Sequence, residues 1–250
     1  MWRAVRPVDR YQRLLWVSFG LLVWAVVWIL RHLADRWWTR AAAGLVVFSS
    51  VTEAVLITAQ RWRGTASHFS QATDTDAAIR GLIGNVVLLL VLGVVVLLVA
   101  ALVRFEGGAA SRIAVLVGLT AVPAARGIGQ RMAAIGEQTF DDTGHVPYEI
   151  LFGAEGSAEL AHAVGPHGLQ LLAVLAILCE AGRLGGRAAV AVTGMAALGY
   201  SAFFAAITVT AYDGRAPLHP SAAMAVLLVA GLLTTAAAPC VAFARAARPT

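Results

Sequence analysis

Seven long apolar runs constrain this chain more than any other feature. They are Leu14–Leu30, Ala41–Gln60, Gly81–Val103, Ile113–Ala134, a shorter one around Gly168–Cys179, Ala188–Ala211 and Ser221–Phe243. A helix needs about 20 apolar residues to cross a bilayer's hydrocarbon, with a range near 17 to 25. Six runs meet that length, and the fifth meets it if its helix begins near Val164. A segment in hydrocarbon must satisfy its own backbone, which leaves helices or a closed barrel. The runs carry no period-two alternation at barrel spacing, so they read as helices. Only 13% of the 250 residues are charged, against about one quarter in a soluble domain. The expected fold is all-α and polytopic: an integral membrane seven-transmembrane-helix bundle, one domain over residues 1–250.

The ends of the runs agree with this. Trp37 and Trp38 sit at a run end, where aromatic anchors meet the interface. Arg3, Arg6, Arg10 and Arg13 precede the first run, which is too long for a signal-peptide core and has no cleavage pattern after it. It is read as a retained span. The basic residues are all Arg, and with the abundant Ala, Gly and Val this reads as high-GC bacterial coding. The expected location is therefore a bacterial inner (cytoplasmic) membrane. The net charge of +5 is scattered over run ends, which argues against nucleic acid as a partner. Cys179 and Cys240 lie in apolar runs and read as small hydrophobes. With the N-terminus in the cytoplasm, eight Arg fall inside and nine outside, so the positive-inside rule leaves orientation open.

Within the second run stands Glu53. A carboxyl group in hydrocarbon costs several kcal/mol unless it is neutral, paired or beside water, which makes it a functional candidate. Depth can be counted from the face that carries the N-terminus, at 1.5 Å per helical residue. Glu53 lies about seven residues in from Gln60, roughly 10 Å. Asn85, Gln130 and Gln170 lie about five residues in on three other runs, and Arg126 about nine. Four helices thus place polar side chains in one layer. Arg126, Gln130 and Glu137 share a helix face by their i, i+4, i+11 spacing. Pro123, Gly127 and Gly129 beside Arg126 favour a cavity, since freed backbone is tolerated next to water or a ligand. The competing reading is a structural clamp in which Arg126 pairs with Glu53.

The histidines add a second asymmetry. His68, His145, His162, His167 and His219 fall on loops or helix ends of the N-terminal face, and only His32 on the other. The second and fourth loops, expected at about 20 and about 30 residues, are long for a compact bundle. Glu53, His68 and Arg126 form the expected catalytic set. Gln60, Trp62, Phe69, Asn85, Gln130, His162, His167, Gln170, Tyr200 and Tyr212 form the expected substrate-binding set.

Other motifs carry less. His162 and His167 are five apart with Gly165-Pro166 between them, so His162 is expected outside the fifth helix and His167 in its first turn. That spacing misses the i, i+4 pattern of zinc helices. No cofactor or metal is expected; zinc, with His68 or His145 as a third ligand, and haem remain alternatives. Asp74 and Asp76 are expected to cap the third helix, and Glu180 to pair with Arg183 at the interface. Ser157 follows no strand and is no nucleophile elbow, and the Arg126–Gly129 stretch lacks the Lys and Ser/Thr of a phosphate loop.

Two stretches carry a resemblance. RGTASHFS, from Arg63 to Ser70, with Ala72, Thr73 and Asp76 to Ala78 after it, resembles the Ser-His-Phe-Asn loop of uncharacterised bacterial polytopic membrane proteins. AHAVGPHGLQ, from Ala161 to Gln170, resembles their His-x4-His-x2-Gln segment. This chain has Ser70 where that family has Asn, and Pro166 where it has Leu. The family implies no settled activity. In architecture alone the chain is similar to small seven-span membrane terpene cyclases, which place an acidic residue on the second helix and protonate an alkene or epoxide.

A buried carboxyl that keeps its proton is a general acid. The chain is therefore expected to be an enzyme on a lipophilic, isoprenoid-like small molecule in the lipid bilayer, most concretely a proton-initiated terpene cyclase. Trp24, Trp28, Trp62, Phe69, Tyr148, Tyr200, Phe203, Phe204 and Tyr212 are available to face a carbocation, or else to pack against lipid and neighbouring helices. Two alternatives stay open: a haem- or metal-binding redox protein using His68, His162 and His167, and a transporter or lipid-binding protein.

Overall fold

The computed structural model describes residues 10–65, 73–143, 150, 152–182 and 184–246. They form α1 (Arg10–Leu30), α2 (Trp37–Arg63), α3 (Asp74–Val103), α4 (Ala109–Thr143), α5 (Glu159–Ala181), α6 (Gly186–Tyr212) and α7 (Ala222–Ala246). All seven are long and apolar enough to cross a membrane. Each apolar run of the sequence lies in its own helix.

The helix ends differ from expectation, and the reason is physical. Hydropathy falls where apolar residues stop, but backbone hydrogen bonding continues as long as the residues tolerate it. α4 runs for 35 residues, about 52 Å at the helical rise, and so outlasts a hydrocarbon layer of about 30 Å. α4 ends at Thr143 and α5 begins at Glu159, and α2 ends at Arg63 and α3 begins at Asp74, so both intervals are shorter than the expected loops. α2 stops at Gly64, whose φ of 74° suits glycine and whose N–H returns to the carbonyls of Arg61 and Gln60. The N-cap of α3 is Thr73, whose Oγ1 accepts from the Asp76 N–H at 3.2 Å and donates to Asp76 Oδ2 at 2.8 Å. The capping role expected of Asp74 and Asp76 thus falls to Thr73 with Asp76 three residues on.

α5 corrects the sequence reading most. It begins at Glu159 and runs through Pro166, so His162 is inside the helix and His167 two turns in. Proline removes one helical bond and crowds the residue before it. Here that residue is Gly165, which has no Cβ to clash. The Tyr200 hydroxyl on α6 donates to the Gly165 carbonyl at 2.8 Å, with Val164 O at 3.2 Å. The turn that proline weakens is therefore held from outside.

Helices α1 to α5 close a ring in chain order, with α1 against α5. α6 packs against α4 and α5 from outside, and α7 lies on α6. The α4–α5 seam is tight: a Cβ built on Gly165 would fall 2.3 Å from Ala125 Cβ. Small residues allow such approach between helices. Fully buried Ile29, Val46, Val94, Leu97, Val115, Leu119, Leu169 and Leu172 fill the ring toward the face opposite the N-terminus. There the 31–36 and 104–108 turns join through a bridge of Leu33 to Phe105. A smaller cluster of Ile128, Ala161, Ile207 and Ala211 packs α4, α5 and α6 toward the N-terminal face. The corresponding half of α2 carries Ser49, Ser50, Glu53 and Thr58 instead.

Candidate functional site

The site is built from the stripe of α2 that begins at Ala42 and Val46. One and two turns further on, that stripe carries Ser49, Ser50 and Glu53. Ser49 and Ser50 are fully buried and Thr58 nearly so, yet among the described residues none of the three hydroxyls has a hydrogen-bond partner. Helical Ser and Thr usually return such a bond to the carbonyl one turn back, as Thr120, Thr208 and Thr210 do here.

Glu53 is half-buried, and the Arg126 guanidinium on α4 exerts a Coulombic pull on it. Among the described residues no ion pair joins the two. Arg126 Nε is enclosed and, among the described residues, makes no hydrogen bond. α2 and α4 each pack on α3, so the two charges stand on the helices that flank it. Glu137, about three turns beyond Arg126, pairs with Arg80 on α3.

Two histidines are oriented through Nδ1, one by a backbone carbonyl and one by a glutamine side chain. His162 Nδ1 lies 2.8 Å from the Ala125 carbonyl, over Gly129, where a Cβ would fall 2.5 Å from the imidazole. A carbonyl only accepts, so Nδ1 carries the proton. Gln170, buried at 5% exposure, donates Nε2 to the Ser18 carbonyl of α1 at 2.8 Å. Its Oε1 therefore faces His167 Nδ1, at 2.7 Å, and His167 is also an Nδ1–H tautomer. His167 is exposed.

The rest of the expected set disperses. Gln60 is fully enclosed, donating to Asp76 Oδ1 at 3.4 Å and accepting from Arg63 Nη1 at 2.7 Å. With the Arg63–Asp76 pair at 3.0 Å it closes the α2–α3 turn. Asn85 and Gln130 share the depth of Glu53 but are exposed, as is Trp62. Tyr200 is committed to α5, and the Tyr212 ring lies under Arg131, 4.5 Å from its guanidinium carbon. Trp28 packs edge-on to His32, and Phe203 and Phe204 join the α4–α5–α6 cluster. His68, Phe69, His145 and Tyr148 lie outside the described residues. Among the described residues no three His, Cys, Asp or Glu are grouped to hold a metal.

Sequence reading missed a second polar cluster, at the opposite face. Glu180 Oε1 accepts from Ser111 Oγ at 2.5 Å and lies 3.5 Å from His32 Nε2. Its expected partner Arg183 is outside the described residues. His32 stacks on Phe105, and burial lowers its pKa below the ordinary 6.5, against an opposing pull from Glu180. The available signal was three polar residues, His32, Ser111 and Glu180, each within a turn or two of a run end on the same face.

Comparison with known protein families, curated proteins and solved structures finds no match for this chain.

Proposed function

We propose that the chain is a multi-pass integral membrane protein of a bacterial inner (cytoplasmic) membrane, in which Glu53 donates a proton to a lipophilic, isoprenoid-like substrate. Its most concrete form is a cyclisation begun at an alkene or epoxide. Membrane placement is supported by seven helices of spanning length whose outer surfaces expose Leu88, Leu92, Val99, Val226 and Leu233. Such surfaces are a liability in water and suit hydrocarbon.

The acid role rests on one observation: Glu53 and Arg126 stand on the two helices that flank α3 and, among the described residues, form no ion pair, while Arg126 Nε is enclosed without a partner. A structural clamp would join its two charges. An acid that gives up its proton needs a positive field beside it and room for the substrate, and Arg126 supplies the field. The proton adds to one alkene carbon, a second alkene closes the ring on the resulting cation, and a proton leaves to a base. Atoms and electrons balance, and the net change is an isomerisation.

A panel of prenylated substrates tests this. Glu53→Gln is expected to lower turnover by about 10² or more, with the thermal melt in detergent unchanged. A clamp gives the reverse, because Gln strands the Arg126 cation and lowers the melt. Full turnover by the variant on an identified substrate overturns the proton-donor role.

A further inference from the structure

At the face opposite the N-terminus a groove of about 530 Å³ opens between the start of α4, the end of α5 and the start of α6. Ser111, Glu180, Leu184, Arg187 and Val190 are among the residues that line it. Its two charged side chains stand at the wrong ends of their helices. Arg187 occupies the first turn of α6, where the helix dipole is positive, and Glu180 the last turn of α5, where it is negative. Each adds to the partial charge of its helix end instead of relieving it. They do not neutralise one another, and Arg187 has no partner among the described residues. Gly185, the N-cap of α6, offers no side chain to the first N–H groups of that helix. Ser111 holds Oε1 of Glu180, and among the described residues no donor is on Oε2.

The arrangement calls for an occupant with an anion and a hydrogen-bonding cation a short distance apart, and an apolar body. We propose that the groove binds the headgroup of a zwitterionic phospholipid with a primary ammonium, phosphatidylethanolamine, its phosphodiester between Arg187 and the α6 N-terminus and its ammonium on Glu180. Phosphate oxygens suit both a guanidinium and helix-end N–H groups. One acyl chain follows the wall of Leu184 and Val190. The groove lies where three helices of spanning length begin or end, the level at which headgroups sit. Glu180 disfavours phosphatidylglycerol, whose net charge is negative. Phosphatidylcholine brings a quaternary ammonium with no N–H to donate. The inference rests on the membrane placement proposed above and not on the acid role of Glu53.

Native mass spectrometry of the detergent-purified protein, titrated with the three lipids at matched chain length, tests it. Phosphatidylethanolamine adducts are expected to lead the others by about threefold or more, the discrimination a solvent-exposed charge pair can supply. Arg187→Ala, at an exposed position, lowers all three, and Glu180→Gln lets phosphatidylglycerol overtake phosphatidylethanolamine. Equal retention of the three lipids, or lipid retention untouched by Arg187→Ala, overturns the assignment. Alkaline carbonate extraction of membranes reads the underlying placement separately. Release to the supernatant overturns the placement and the groove together. A retained protein without lipid preference overturns the groove alone.

Discussion

His32 shows how one residue carries chemistry and stability at once. It lies between the Phe105 ring and the edge of Trp28, with Glu180 and the Arg31 charge in reach of its field. Burial lowers its folded pKa below 6.5. The unfolded chain therefore takes up more protons as pH falls below that value. Stability supplied by neutral His32 is complete above pH 6.5 and is lost as pH falls toward the lower, folded pKa. His32→Gln is expected to flatten the acid limb of the melting-temperature profile in detergent. An equal acid slope in wild type and variant would place the sensitivity on another group. Other polar residues are governed by neighbours just as local: Gln60 by Asp76 and Arg63, His162 by the Ala125 carbonyl, Gln170 by Ser18.

Among the elements, the α4–α5 pair organises the N-terminal half of the bundle. Gly165 meets Ala125, Gly129 meets His162, and Gly118 meets Leu169 across that seam. Arg126 lies one residue beyond Ala125, so the seam also sets how α4 turns its cation toward α2. Gly165→Ala is expected to force the helices apart and cost about 1–3 kcal/mol, the usual range for overpacking, read as a lowered melt in detergent. Gly127→Ala is the control, because nothing lies within 4 Å of the Cβ it would add. If both variants melt like wild type, the seam yields more easily than its geometry implies. Helix extent was only partly legible at this scale. The apolar run marks where hydrocarbon can lie, whereas α4 and α5 continue on polar residues, and α5 continues through Pro166 with help from Tyr200 on another helix.

For the whole molecule, the odd number of helices has one firm consequence. The turns ending α2, α4 and α6 share the face on which α1 begins, and the Gly156 N–H donating to the Arg215 carbonyl at 3.2 Å ties two of them. If all seven helices span, the termini lie on opposite sides of the membrane. Reporter fusions at each end are expected to give opposite signals; equal signals would break the seven-span arrangement and the common face of His162, His167 and His219. The same count separates the two polar regions, with Glu53 and Arg126 in the half of the bundle nearer the N-terminal face and the Glu180–Arg187 groove at the other face.

The number, class and approximate place of the helices were determined by sequence alone, because a run of about 20 apolar residues in hydrocarbon can satisfy its backbone only as a helix. Depth along each helix was legible too, since the rise per residue is constant, and it brought Glu53 and Arg126 into consideration together. Azimuth was not legible. Asn85 and Gln130 share Glu53's layer but turn outward, because which side of a helix faces the ring depends on the small-residue seams of its neighbours. Tertiary structure alone decided which polar groups were committed and which were left. Gln60 ties the end of α2 to the start of α3, Glu180 takes the hydroxyl of Ser111, and Arg126 keeps an enclosed Nε without a partner among the described residues. A hydrogen bond needs its partner within about 3 Å, and those partners come from helices tens to more than a hundred residues away in the chain, a distance that spacing within one helix cannot encode.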